Sequence, residues 1–132
     1  MTDSPDLLAL GDVPFIRLTT FRRSGEPVGT TVWVARDGES LVVFTPVGAG
    51  KLKRLRHTRR VEVAPSSRRG TVADHARTVE AVAEVDPSAA TLAHVSSLLS
   101  KKYGFQYKLV MLVEKVFSRG SRDRDVIRIT AA

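Results

Sequence analysis

Apolar and polar residues alternate loosely from Val13 to Arg23, and the run stops at Ser24-Gly25, a turn signal. Alternation is tighter from Val28 to Arg36. An extended chain there places Val28, Thr30, Val32 and Val34 on one face, and Thr31, Trp33 and Ala35 on the other. Asp37-Gly38 predicts a two-residue hairpin, because both residues tolerate positive φ. Leu41 to Thr45 is the return strand. These three segments together predict an antiparallel meander. Val61 to Pro65 and Arg77 to Val85 predict two further strands, and Asp125 to Thr130 alternates as a closing strand.

The period changes after Gly48 and Gly50, where a short helix is predicted over about Lys51 to His57. A second helix is predicted over about Ser88 to Tyr103. It starts after Pro87 and stops at Gly104. Phe105 to Phe117 reads as either helix or strand, since its β-branched content leaves both open. The stretch "SSRRG" at 66–70 is a loop. No repeat or low-complexity linker interrupts the chain. The elements sum to a small antiparallel sheet or barrel with a few helices, the helical tail packing on it or serving a dimer interface.

The chain has 132 residues, the size of one domain spanning 1–132 and enough to bury a core without staples. Cysteine is absent, which removes disulfides and thiolate metal sites. The start "MTDSPDLLALGDVPF" lacks the basic opening and long apolar run of a signal peptide. No apolar run approaches the roughly 18 residues of a membrane span. A cytoplasmic protein is expected.

Charge changes the picture more. There are 21 Lys and Arg against 14 Asp and Glu, a net +7. An acidic partner is expected: nucleic acid, an anionic membrane surface, or a phosphate-bearing or polyanionic ligand. The one Trp, two Tyr and five Phe are not interleaved with the cations. That weakens a single-strand nucleic-acid reading, which needs stacking platforms in a basic groove.

The basic charge peaks in "GAGKLKRLRHTRR", residues 48–60. On a helical wheel Leu52 and Leu55 form the buried stripe. Lys53 and His57 then point outward, and Lys51 and Arg54 share a flank between core and solvent. Lys51 and Lys53 sit in the first turn, where the helix dipole disfavours cations by about 0.3–1 kcal/mol. No Ser, Thr, Asp or Asn stands at 48–50 to cap the free amides. Glycines, open amides and adjacent cations together describe a socket for an anion.

Other chemistries find less support. A P-loop needs a glycine where Thr45 stands and Ser or Thr where Leu52 follows Gly50-Lys51. His57, His75 and His94 lack metal-ligand spacing, so no metal is expected. Ser66-Ser67 has no nucleophile-elbow context. No carboxylate pair stands out for acid–base work, and no catalytic residue is named. In cofactor-borne hydride transfer the protein binds, orients and excludes water, so an anion socket without a nucleophile fits that division. Trp33 reads equally as core packing or as a pocket wall. Tyr103 and Tyr107, four apart, read as packing or interface residues.

The segment "SGEPVGTTVWVARDGESLVVFTPVGAGKLKRLRHTRRVEVAP" resembles the core of the pyridoxamine 5'-phosphate oxidase-like split β-barrels, and within them the branch that uses coenzyme F420, a deazaflavin. The resemblance rests on order and spacing: Gly25-Glu26-Pro27, Thr30-Thr31-Val32-Trp33, Asp37-Gly38, Thr45, then Lys51-Leu52-Lys53-Arg54-Leu55. "KYGF" at 102–105 is similar to a Lys-Tyr-Gly-Trp segment of that branch, with Phe105 in place of the Trp. The likeness covers most of the chain and is firm from about 13 to 70.

It implies a mainly β fold: an FMN-binding split barrel, a six-stranded antiparallel Greek-key-like barrel with flanking helices. It also implies a homodimer with cofactor sites at the interface, and an oxidoreductase that moves a hydride between F420 and a small organic substrate. Lys51 would hold the cofactor phosphate with Arg54 as a second contact. Thr45 and Pro46 would line the phosphate approach, and Thr31, Val32 and Trp33 would border the ring. The FMN-using branch resembles a pattern with Arg where Thr30 stands here. The missing charge favours F420, whose phosphodiester and oligoglutamate arm suits a basic chain, and Arg68 and Arg69 would meet that arm. The alternatives are an FMN-binding oxidase or reductase of the same fold, a non-enzymatic flavin or deazaflavin carrier, or a basic nucleic-acid-binding module.

Overall fold

The computed structural model describes residues 5–46, 49–73, 76–86, 88–109 and 124–132. Its strands are β1 (Ile16–Phe21), β2 (Pro27–Val32), β3 (Ala35–Asp37), β4 (Ser40–Pro46), β5 (Arg60–Pro65), β6 (Val79–Asp86) and β7 (Arg124–Ala131). Helix α1 (Pro5–Ala9) runs into a 3-10 turn, Leu10–Asp12. Helix α2 (Gly50–Leu55) lies between β4 and β5, and α3 (Ala89–Tyr103) between β6 and β7.

All strand pairs are antiparallel, in one sheet ordered β2-β1-β5-β6-β7-β4-β3. The sheet curls around a single core. Ile16 and Leu18 of β1, Leu41 and Val43 of β4, Val61 and Val63 of β5, Ala81 and Ala83 of β6, and Ile127 and Ile129 of β7 all share it. Every second residue of each strand therefore points inward, the period-two pattern expected of a half-buried sheet. Leu52 and Leu55 of α2 join this core, and so do Leu7 of α1 and Leu10 of the turn that follows it. Sequence reading assigned no helix to that N-terminal stretch. The expected mainly β half-barrel with flanking helices is the observed architecture.

The strand count differs, for a local reason. The segment predicted as one strand over 28–36 stops at Val32 and resumes at Ala35. β2 pairs with β1, and β3 pairs with β4, so the two halves lie at opposite edges of the sheet. The expected three-stranded meander is thus two hairpins joined by a bend at Trp33–Val34. Alternation continues through the bend: Val32 and Val34 belong to the inner core, Trp33 and Ala35 to a second cluster outside it. That second cluster is the outer face of β3, β4 and β7, with Val42 and Val126 covered by Val95 and Leu99 of α3. The predicted docking of the helical tail on the sheet is observed.

The hairpin turn sits one residue later than expected. Asp37 still pairs with Ser40, so Gly38-Glu39 forms the loop. Gly38 alone takes positive φ, at 62°, which matches a turn with glycine at its first central position. Helix α3 ends as predicted, at Gly104 with φ 57°. Residues 105–109 continue as helix. The rest of the stretch to Phe117 lies outside the described residues, as do Gly48, His75 and Pro87.

Candidate functional site at the opened ladder

The bend leaves backbone groups of Val34 without a sheet partner, and α3 supplies replacements. The Tyr103 hydroxyl accepts from Val34 N–H at 3.0 Å and donates to the Pro14 carbonyl at 2.7 Å. Lys102 Nζ donates to the carbonyls of Gly11, Val13 and Val34 at 2.7, 2.7 and 2.6 Å. Trp33 stacks on Tyr103 with ring centroids 4.3 Å apart and planes 10° off parallel, and is tilted against Tyr107 at 6.4 Å. Burial lowers the Lys102 pKa and raises that of Tyr103. The N–H and the carbonyl of Val34 thereby both find partners, as buried backbone requires. "KYGF" carries this work: Lys102 and Tyr103 brace the bend, and Gly104 turns the chain.

The bend also opens a ladder. Ala35 pairs with Val42, and continuing that register would set Trp33 against Phe44, Val32 against Thr45 and Thr31 against Pro46. Instead β2 leaves to pair with β1, Arg17 opposite Thr31. Thr31-Val32-Trp33 and Thr45-Pro46, which that continued register would pair, are instead left as two separate lips, one of β2 and one of β4. Among the described residues the outer edge of β2 and the end of β4 have no ladder partner on this side. Sequence reading named these residues, and the topology explains why they belong together.

Helix α2 follows the β4 lip directly. Ala49 N–H donates to the Pro46 carbonyl, and Leu52 N–H to Ala49. Ala49 is the N-cap and offers no side-chain cap, as predicted. The helix is shorter than expected, ending at Leu55, with His57 in the turn beyond it. Leu52 and Leu55 are buried, Lys53 and His57 exposed, and Lys51 and Arg54 half-buried, as the wheel requires. Arg54 Nε donates to Thr20 Oγ1 at 2.5 Å. Its guanidinium lies against Gly50, where an added Cβ would come within 2.8 Å of it.

The electrostatics of this helix are those of crowded cations. The Lys51 pKa is lowered first by burial and then by the Arg54 charge, and that of Arg54 first by burial and then by Arg22. Neither side chain has a carboxylate partner among the described residues. The inward-facing hydroxyls of Thr45 and Thr30 are buried without a hydrogen-bond partner. Desolvated cations gain from an anionic ligand, whereas the two hydroxyls face the core.

The loop at 66–71 borders the β2 lip. Arg17 lies flat over Gly29, where an added Cβ would meet its guanidinium at 2.5 Å, and its NH1 donates to the Gly70 carbonyl at 3.3 Å. Gly70 has φ 86°, and a Cβ there would meet Thr31 Oγ1 at 2.7 Å. Arg68 and Arg69 are exposed on this loop. Sequence reading missed Arg17. Its signal was Gly29, diagonal to it on the neighbouring strand and opposite Thr19, a placement that only the strand register reveals. Among the described residues no group of histidines and carboxylates is placed to hold a metal, and no helix is long and apolar enough to cross a membrane.

The pyridoxamine 5'-phosphate oxidase sequence profile matches residues 8–132. The chain belongs to the pyridoxamine 5'-phosphate oxidase family. No curated protein matches it in sequence. Solved structures share the family's split barrel at low identity. HutZ, a heme storage protein of Vibrio cholerae, superposes with a TM-score of 0.67 at 15% identity, over 100% of this chain and 92% of that one. The conserved hypothetical protein Rv2991 of Mycobacterium tuberculosis gives 0.68 at 20%, over 99% and 86%. A protein described as an F420 reductase gives 0.61 at 18%, over 94% and 92%. These likenesses establish the fold alone.

Proposed function

We propose that this member of the family binds coenzyme F420 at the opened ladder and transfers a hydride between it and a small organic substrate. The observation that carries this reading is the convergence of the two strand lips with half-buried, carboxylate-free Lys51 and Arg54 at the end of one of them. When bound, the deazaflavin supplies the hydride chemistry. The chain supplies the rest. Lys51 and Arg54 hold the phosphodiester, relieving their own mutual repulsion. Exposed Pro46 lines its approach, with Thr45 contributing by its backbone position because its side chain is buried. Thr31 and Val32 alternate in the ladder with β1, so one of the two turns its backbone N–H and carbonyl outward and would offer hydrogen bonds to the ring edge. Trp33, already fixed by Tyr103, walls the pocket by its position and not by movement. FMN is the runner-up, and the absence of an Arg at position 30 disfavours it. A homodimer, with the partner completing the substrate cleft, is part of the proposal.

Parallel titrations with F420, FMN and FAD test this, read by absorbance and by intrinsic Trp33 fluorescence. Saturable F420 binding with a dissociation constant at least tenfold below that of FMN is expected. Tight FMN binding with none for F420 would move the protein to the flavin branch. Binding of neither would remove the oxidoreductase reading.

A further inference from the structure

Two clefts lie near α2, and they differ in whether a carboxylate is among the described residues that line them. One, of about 350 Å³, is lined by Arg56 and Arg59 but also by Glu84 and Asp125. It is self-neutralised, with Arg59 NH1 2.8 Å from Glu84 Oε1. The other, of about 550 Å³, lies between the β1–β2 turn and the α2–β5 connection. Arg22, Arg23, His57 and Arg60 line it, and no carboxylate does.

The walls of this second cleft are held in place from behind. Arg60 sits over the Phe21 ring at 4.2 Å and is tethered by Glu62 and Glu80 at 3.3 and 3.2 Å. Its backbone N–H donates to Thr58 Oγ1. The turn is closed by Gly25 at φ 89°, with Arg22 N–H donating to the Glu26 carbonyl at 3.0 Å. Arg22 has Glu26 at 3.6 Å, in an exposed and loose pair. Arg23 has no carboxylate, and its Nε lies 3.2 Å from each ring nitrogen of His57. Three guanidinium groups therefore line one open cleft, Arg60 and Arg22 also paired to glutamates outside its lining and Arg23 without a carboxylate among the described residues, and their planar forks match phosphate oxygens bidentately.

We propose that this cleft is an oligophosphate site of its own, separate from Lys51 and the opened ladder, binding a compact anion with two or more phosphoryl groups. Arg23 and His57 form one wall and Arg60 the other, with Arg22 at the rim. The site needs no deazaflavin, so it stands or falls independently of the proposed redox activity.

Pyrophosphate is the probe, titrated at fixed ionic strength and read by amide chemical shifts on the full chain. Saturable shifts at Gly25 and Thr58 are expected. Arg23→Gln, an exposed change that leaves the melting temperature alone, should weaken that binding about tenfold or more. Lys51→Ala and Lys53→Ala should leave it unchanged. Unsaturable shifts, or a Lys53→Ala loss equal to that of Arg23→Gln, would reduce the cleft to general charge and overturn the proposal. Loss in Lys51→Ala would also overturn it, by making the anion part of the ladder site. Citrate, similarly charged, should bind more weakly, and a preference for it would overturn the oligophosphate class.

Discussion

Lys51 and Lys102 are both half-buried lysines whose pKa burial depresses, yet they sit in opposite kinds of surroundings. Lys102 gives its three N–H bonds to three backbone carbonyls within 2.7 Å. Lys51 has no hydrogen-bond or ion-pair partner among the described residues, and Arg54 adds a second charge beside it. Desolvating an ammonium is unfavourable. At Lys102 the fold recovers that cost internally. At Lys51 it goes unrecovered within the described chain, and an anionic ligand would recover it. Burial alone does not tell the two lysines apart; burial without acceptors does.

The largest effect that could break this comparison is on binding. Lys51→Ala should weaken cofactor affinity about 10- to 100-fold, the worth of one charge-assisted contact. Its melting temperature should hold or rise, since an uncompensated buried charge is removed. Lys53→Ala, on the exposed face, should change affinity less than threefold. Equal losses would turn the Lys51 pocket into diffuse attraction.

Lys102→Met should do the reverse. It strands three carbonyls and should destabilise by about 2–3 kcal/mol, read as a melting temperature lower by roughly 5–10 °C. A Lys102→Met protein that melts like wild type would show the bend to be held by packing alone. Tyr103→Phe keeps the Trp33 stack but removes the hydroxyl, and should cost about 1–2 kcal/mol in the same assay.

Two pH profiles sharpen the contrast further. In the free protein the Lys51 pKa lies below its ordinary 10.5, and a bound phosphodiester would raise it. Binding then takes up a proton, so affinity is full below the depressed value and falls as pH rises through it. Lys51→Arg should flatten that fall. The smallest effect is at Asp37. Hydrogen bonds from His94 and then Arg128 hold its carboxyl below the ordinary 3.8. Its stabilisation is present above that value and lost as pH falls through the depressed pKa. The stability gap between wild type and Asp37→Asn should therefore close in acid below about pH 4, in denaturant titrations.

How far the sequence reaches follows from the range of each cause. Inward positions on β1, β4, β5 and β7 were legible because alternation is a local consequence of the pleat. The uncapped start of α2 and the flank shared by Lys51 and Arg54 were legible for the same reason. The bend at Trp33–Val34 was not. The hydrophobic alternation runs straight through it, and the groups that stabilise it, Lys102 and Tyr103, arrive nearly seventy residues later in the chain. The Asp37-Gly38 turn slipped by one position because either dipeptide satisfies the rule for φ, and the pairing of Asp37 with Ser40 decides. Trp33 could not be assigned from its strand face alone, because its stacking partner is on α3. Arg17 stayed hidden because its meaning lies in Gly29 across the ladder. The candidate site residues were picked out by resemblance, and the register adds that a continued β3–β4 ladder would have paired Thr31 and Val32 with Pro46 and Thr45.

The bend that opens the ladder has a cost in solution behaviour. It leaves the outer edge of β2 unpaired, and such a border can template the addition of a foreign strand. Pro27 removes one donor at its start, and Arg17 lies across Gly29 as a guard of charge. Beyond them Thr31 and Val32 offer only threonine and valine. The stock of this protein should therefore keep longer, and clump less, in buffers that fill the gap than in those that leave it empty.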